Sequence, residues 1–252
     1  MKIMKKPTIK RLYFDIETSY NIGSFWGLGK QYISYQNIIH ERAIICICYK
    51  WEHENTVHHL TWDASQNDKN MLEKFLKIAN QSDELVTQNG DNFDIKWLRT
   101  RCLYHGIPMF PTYSTLDTYK KARSGFKFNS NSLDYMAQFL KMGRKNKMSL
   151  SDWDDIILRK DTKALQKMVT YCKKDVTLLQ NIYKKLSPYI THSTHHGTLQ
   201  GKSTVSCPEC TSDEMVVSKH RVTAAGIKKI QLQCKSCGKY HTVSETSLNK
   251  TK

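Results

Sequence analysis

The segment Arg11-Leu-Tyr-Phe-Asp-Ile-Glu17 is apolar on both faces until two carboxylates interrupt it. A strand of that kind must be covered on both sides, which places it in the middle of a sheet held between other layers. Its acids then mark the strand end as an opening onto a site. Two more β-rich runs, Ala43–Trp51 and Thr56–Trp62, complete what reads as a meander.

From Asp68 the hydrophobic period changes. Met71, Leu72, Phe75, Leu76 and Ile78 recur at helical spacing as far as Asn80. Glu84–Gln88 is then a short strand, Asn89-Gly90 a turn, and Phe93, Ile95, Trp97, Leu98 and Leu103 mark a second helix closed by Gly106 and Pro108. Thr115–Tyr119 is a fifth strand, Ser132–Lys141 a helix with Asn and Ser at its start, and residues 161–186 a long helix that stops before Pro188. The order predicts an α/β fold with a mixed five-stranded sheet flanked by helices.

With hydrophobic residues at 39% and aromatics at 10%, the chain has enough apolar surface for a packed core, which excludes wholesale disorder. Its longest apolar run, Ile44–Tyr49, is far short of the roughly 20 residues that span a bilayer. The start, MKIMKKPTIK, is basic and lacks the apolar stretch of a secretory signal. No membrane partner is expected, and the compartment reads as cytoplasmic, in a bacterial or viral setting. Lys and Arg total 39 against 23 Asp and Glu, a net charge of +16, which favours a polyanionic partner.

Asp15 and Glu17 stand at i and i+2, so on a strand they share one face. Two anions side by side are costly unless a cation lies between them, and hard oxygen donors select Mg²⁺ or Mn²⁺ over Zn²⁺. A second signal is Asn89-Gly-Asp-Asn-Phe-Asp94-Ile-Lys-Trp-Leu98, a turn running into a helix whose first turn carries Asp94; Asp91 reads as an ordinary capping acid. The third is Tyr171-Cys-Lys-Lys-Asp175 on the long helix, an i, i+4 pair on one face.

In this order the motifs FDIET, NGDNFDIKWL and YCKKD resemble those of the DEDD superfamily of 3′–5′ exonucleases in its tyrosine-bearing branch, and most of all the proofreading domains of family B DNA polymerases. The resemblance covers residues 10–188 and implies a ribonuclease-H-like fold. It makes Asp15, Glu17, Asp94 and Asp175 ligands of two Mg²⁺ or Mn²⁺ ions, with Tyr171 orienting the attacking water. By resemblance alone, Thr18 and Asn89 touch the terminal nucleotide, and Phe93 is either a base-stacking ring or core. No polymerase domain is expected, since only about 60 residues follow the matched region.

Basic runs at Lys120–Lys127, with Phe126 and Phe128, and at Lys141–Lys147 read as loops suited to phosphate contact. Asp117 and Asp134 read as a strand-end acid and a first-turn helix acid; Asp152, Asp154 and Asp155 cluster at a helix start. Trp26, Tyr32 and Tyr35 read as core residues before cleft-lining ones.

Of eight cysteines, Cys46, Cys48, Cys102 and Cys172 are scattered in apolar contexts and read as small buried hydrophobes. The other four form Cys207-x-x-Cys210 and Cys234-x-x-Cys237, the spacing of a closed, structural Cys₄ Zn²⁺ site in a β-rich zinc ribbon. Residues 201–252 hold nine basic and four acidic side chains. Among them Lys219, Arg221, Lys228, Lys229, Lys235 and Lys239 favour a nucleic-acid role for the ribbon over a protein partner. His192, His195, His196, His220 and His241 read as surface histidines.

The resulting organisation is an exonuclease domain at 1–188, a Ser/Thr/His/Gly-rich linker at 189–204, a ribbon at 205–241 and a disordered tail at 242–252. Its expected function is metal-dependent 3′–5′ hydrolysis of single-stranded nucleic-acid ends, DNA before RNA. An adaptor acting through the ribbon, or an endonuclease on the same fold, are the competing readings.

Overall fold

A computed structural model describes residues 9–144, 147–192 and 194–249. Lys145 and Asn146 of the second basic run, Ser193 of the expected linker, most of the basic start and residues 250–252 of the expected tail lie outside the described residues.

Strand β1 (Arg11–Thr18) is central, as its two-sided apolarity requires. Leu12, Phe14 and Ile16 enter one core while Tyr13 enters the other. After β1 the chain makes a small antiparallel pair, β2 (Ile22–Gly23) and β3 (Ile38–His40), that the sequence did not announce. The segment between them corrects the reading of Trp26, Tyr32 and Tyr35: all three are exposed, because the pair stands off the main sheet and offers them no second layer.

The meander closes with β4 (Ile44–Trp51) and β5 (His58–Thr61), both antiparallel to their neighbours. Helix α1 (Lys69–Ala79) carries the chain across to β6 (Glu84–Thr87), and α2 (Asp94–His105) leads on to β7 (Thr115–Asp117). Both of those strands run parallel to β1, which gives a mixed sheet of order β5-β4-β1-β6-β7. The expected fold class is the observed one.

Helices α3 (Thr118–Gly125), α4 (Leu133–Phe139), α5 (Leu150–Ile157) and α6 (Thr162–Leu186) follow. The first basic run is therefore helical over Lys120–Arg123, because Asp117 caps α3 through the Tyr119 and Lys120 amides. On one face of the sheet, α1 and α2 pack on Phe14, Ile44 and Leu85; on the other, α6 packs on Tyr13, Cys46 and Cys48 with α4 and α5 beside it. Phe14 is fully buried with its ring 5.0 Å from that of Phe75, and burial of such a side chain contributes roughly 1.5–3 kcal/mol. Cys46, Cys48, Cys102 and Cys172 are all buried.

A buried polar knot ties the α1 side together. Arg101 Nε and Nη2 donate to the two oxygens of Asp68 at 2.7 and 2.9 Å, His105 Nε2 lies 2.6 Å from Asp68, and the Ile44 amide donates to it at 3.0 Å. Burial acts to raise the Asp68 pKa, but these hydrogen bonds outweigh it and the carboxyl lies below its ordinary value.

The segment expected to be a linker is built into the fold instead. It contains helix α7 (His196–Leu199), and the side chains of His192 and His196 are buried, because carboxylates of the sheet and of the ribbon stand against them. The ribbon consists of β8 (Met215–Val222), β9 (Lys228–Cys234) and β10 (Tyr240–Ser244), antiparallel in the order β10-β9-β8. Residues expected to be a disordered tail continue β10 and then form helix α8 (Glu245–Asn249), with Leu248 packed against Ile230, Leu232 and Val243. Among the described residues no helix is long and apolar enough to cross a membrane.

Candidate active site and zinc centre

Strand β1 pairs with β6 only from Arg11 to Tyr13, so one edge of its second half is left open to the start of α2. Asp94 fills that edge: its Oδ1 accepts the Ile16 N–H at 3.1 Å, between the two acids of β1. The turn that delivers it is sterically specified. Asn89 has a positive φ of 61°, and a Cβ on Gly90 would lie 2.2 Å from Thr87 Oγ1, so only glycine fits there.

Asp15 and Glu17 share the face of β1 that looks toward α6, and each offers an oxygen within 4.8 Å of the other and of Cys172 Sγ. Cys172 holds the helix to the strand: its thiol lies 3.5 Å from the Asp15 carbonyl oxygen and 3.6 Å from Asp15 Oδ2. Burial, reinforced by Cys46 and Cys48, keeps that thiol protonated by raising its pKa well above the ordinary value. Tyr171 and Asp175 flank Cys172 on the same helix, with Asp175 only 2% exposed and Asp94 only 1%. Asp15, Glu17 and Asp94 thus stand together at the end of β1, and Asp175 is buried on α6 three residues beyond Cys172. As a donor set they suit hard divalent cations such as Mg²⁺ or Mn²⁺.

A family profile, RNase_H_2 of the RNase H superfamily, matches residues 12–187. The chain belongs to the RNase H superfamily. This superfamily member is 34% identical over 109 residues to a DNA polymerase of Thermococcus hydrothermalis, a match covering 39% of the chain and 6% of the polymerase. A DNA polymerase of Thermococcus sp. (strain 9oN-7) is 35% identical over 106 residues, covering 38% of the chain and 12% of that protein. In these relatives the chain thus spans only a small part of the length. A solved family B DNA polymerase from Pyrobaculum calidifontis superposes with a TM-score of 0.55 over 72% of the chain and 25% of the polymerase, at 16% identity, which bears on the fold.

The remaining candidates of this RNase H superfamily chain lie close by. Thr18 is buried at the end of β1, where its Oγ1 accepts from Arg42 Nη2 at 2.8 Å and its carbonyl accepts from Trp153 Nε1 at 3.1 Å. Asn89 turns its amide N–H to Asp117 Oδ1 at 2.8 Å. Phe93 is outside the core, part exposed, with its ring 6.4 Å edge-on from that of Trp97. Asp91 pairs with Lys120 at 2.8 Å, in keeping with an ordinary surface acid.

Arg42 escaped the sequence reading. Its guanidinium lies 4.8 Å over the Trp97 ring and also donates to the Ser19 carbonyl at 2.9 Å, so it joins the end of β1 to α2 beside the acids. A lone Arg in a loop carries no periodic or motif signal.

In the ribbon, the Sγ atoms of Cys207, Cys210, Cys234 and Cys237 all lie within 4.8 Å of one another. Cys207 and Cys237 are 3.6 Å apart and Cys210 and Cys234 3.5 Å, close to the roughly 3.8 Å expected of thiolates sharing a tetrahedral Zn²⁺ at 2.3 Å. Four sulfur donors fill such a shell, which fits a structural ion.

Proposed function

We propose that this protein is a metal-dependent 3′–5′ exonuclease acting on single-stranded nucleic-acid ends, with DNA favoured over RNA. The observation that carries the reading is the convergence of Asp15 and Glu17 on one strand face with Asp94 seated at the intervening backbone amide. Resemblance of the three motifs to proofreading domains, and identity to DNA polymerases over this region, support it.

Asp15, Glu17, Asp94 and Asp175 would hold two Mg²⁺ or Mn²⁺ ions, which supply neutralisation of the attacking and leaving oxygens in phosphodiester hydrolysis. Tyr171, one turn before Asp175, would hold the attacking water by its phenol. Thr18 and Asn89 would contact the terminal nucleotide and Phe93 the base, whose stacking on an aromatic ring is indifferent to sequence. One structural Zn²⁺ would complete the ribbon, whose Lys and Arg excess adds affinity for the strand.

Incubation of 5′-labelled single strands with Mg²⁺ or Mn²⁺ tests this. A ladder shortening from the 3′ end supports it. A discrete internal product would make the protein an endonuclease, and binding without cleavage an adaptor. Matched DNA and RNA strands decide the substrate.

A further inference from the structure

We propose that Glu84, His192 and His196 form a second zinc site, separate from both the acids of β1 and the four cysteines, in the seam between the sheet and the ribbon. Glu84 opens β6 and pairs in register with Arg11 at the start of β1. Asp15 lies four residues further along that strand, about 13 Å away at the usual rise, so this is not the acid cluster.

The three residues each offer a ligand atom within 4.8 Å of the others. Their side chains are each only 1% exposed. His196 Nε2 stands 3.4 Å from Glu84 Oε1, yet the two are not aligned as a hydrogen bond. Ligands about 2.0–2.1 Å from a tetrahedral Zn²⁺ stand roughly 3.3 Å apart, so the pair has the spacing of atoms that share an ion. Among the described residues, neither ring nitrogen of His196, nor Nδ1 of His192, nor Glu84 Oε1 has a hydrogen-bond partner. Leaving buried polar atoms unsatisfied costs about 1–3 kcal/mol each, which a bound cation would remove.

Outer-shell partners are already in place. Arg11 Nε donates to Glu84 Oε2 at 2.7 Å, leaving Oε1 to face the histidines. His192 Nε2 abuts Glu209 Oε2, the carboxylate–imidazole arrangement that fixes a ligating ring and directs its Nδ1 at a metal. Charge points the same way: Glu52, Glu84 and Glu209 all contact the single guanidinium of Arg11, and with the buried Lys239 ammonium acting on Glu209 one excess negative charge remains when the imidazoles are neutral. Two imidazoles and a carboxylate are borderline donors that suit Zn²⁺. Such an ion would join the sheet to the segment after α6 and, through Glu209, to the knuckle that holds Cys207 and Cys210.

Metal content of the full chain, purified and dialysed without chelator, gives the first readout: two zinc ions per chain are expected. His196→Gln and Glu84→Gln should each retain one. Co²⁺ substitution, with excess Mg²⁺ to occupy the oxygen site, separates the centres. Thiolate-to-cobalt charge-transfer bands report the cysteines, and additional d–d absorption without charge transfer reports the second site. In both variants the charge-transfer bands should persist, which shows the ribbon still folded, while the additional absorption is lost. A wild-type chain with one zinc, its histidines neutralising the carboxylates as protonated imidazoles, would overturn the proposal. So would two zinc ions retained by both variants.

Discussion

Arg11, at the start of the strand that carries Asp15 and Glu17, grips Glu209 of the ribbon 198 residues later, with Nη1 2.8 Å from Oε1 and Nη2 3.1 Å from Oε2. Tyr183 of α6 donates to the same carboxylate at 2.8 Å. Glu209 sits between Cys207 and Cys210, so the cysteine knuckle is docked directly on the catalytic candidate's central strand. Lys239 reinforces the seam by donating to the Ser187 and Ile190 carbonyls. The ribbon is a buttress of the RNase H-like fold.

Glu209→Ala should therefore destabilise the whole protein by about 1–3 kcal/mol, the cost of leaving buried donors of Arg11 and Tyr183 unsatisfied while Glu84 still pairs the guanidinium. Urea denaturation measures it, and truncation after Tyr189 should lower the melting temperature at least as far. A loss under about 1 kcal/mol would mean that the seam is solvated.

Asp15→Ala and Asp175→Asn should each abolish strand digestion while the fold and strand binding persist. Single-turnover cleavage and fluorescence anisotropy on the same preparations check this. Digestion by either variant at the wild-type rate would remove that residue from the site.

Omission of Mg²⁺ and Mn²⁺ should stop cleavage without releasing the strand from the basic faces, and cleavage should return when either ion is added. Binding should weaken steadily with salt, because neutralised phosphates release counterions. A salt-independent dissociation constant would show that the charge of +16 is not what holds the strand.

The Asp68 carboxyl, buried and held by Arg101, the Ile44 amide and His105, titrates below its ordinary value of 3.8. A depressed carboxylate contributes stability above its unfolded pKa and loses it as pH falls through the folded one. Wild-type stability should drop as pH falls below about 4, more steeply than that of Asp68→Asn, which has no such proton to bind. Urea midpoints across that range test it; equal slopes would assign the acid sensitivity elsewhere.

Much of this was legible in the chain. Two-sided apolarity placed Arg11–Glu17 at the sheet centre, the change of period at Asp68 separated meander from crossovers, and cysteine spacing marked the ribbon. Helix α3 was missed because Asp117 reads as the acid that ends a strand, whereas its side chain also caps the residues after it through the Tyr119 and Lys120 amides. Residues 189–204 were misread for a related reason: polar composition predicts exposure unless distant partners stand ready, and His192 and His196 find theirs in Glu209 and Glu84.

The sequence by itself determined the layers, the candidate acids and the four-cysteine motif, because strand and helix periods and ligand spacing are local properties. Only the tertiary structure decided that Asp94 seats on the Ile16 amide, that Arg42 braces the strand end over Trp97, and that the ribbon and the sheet share one buried charge network. Contacts between residues tens to hundreds of positions apart depend on where each backbone runs, and no local pattern encodes that.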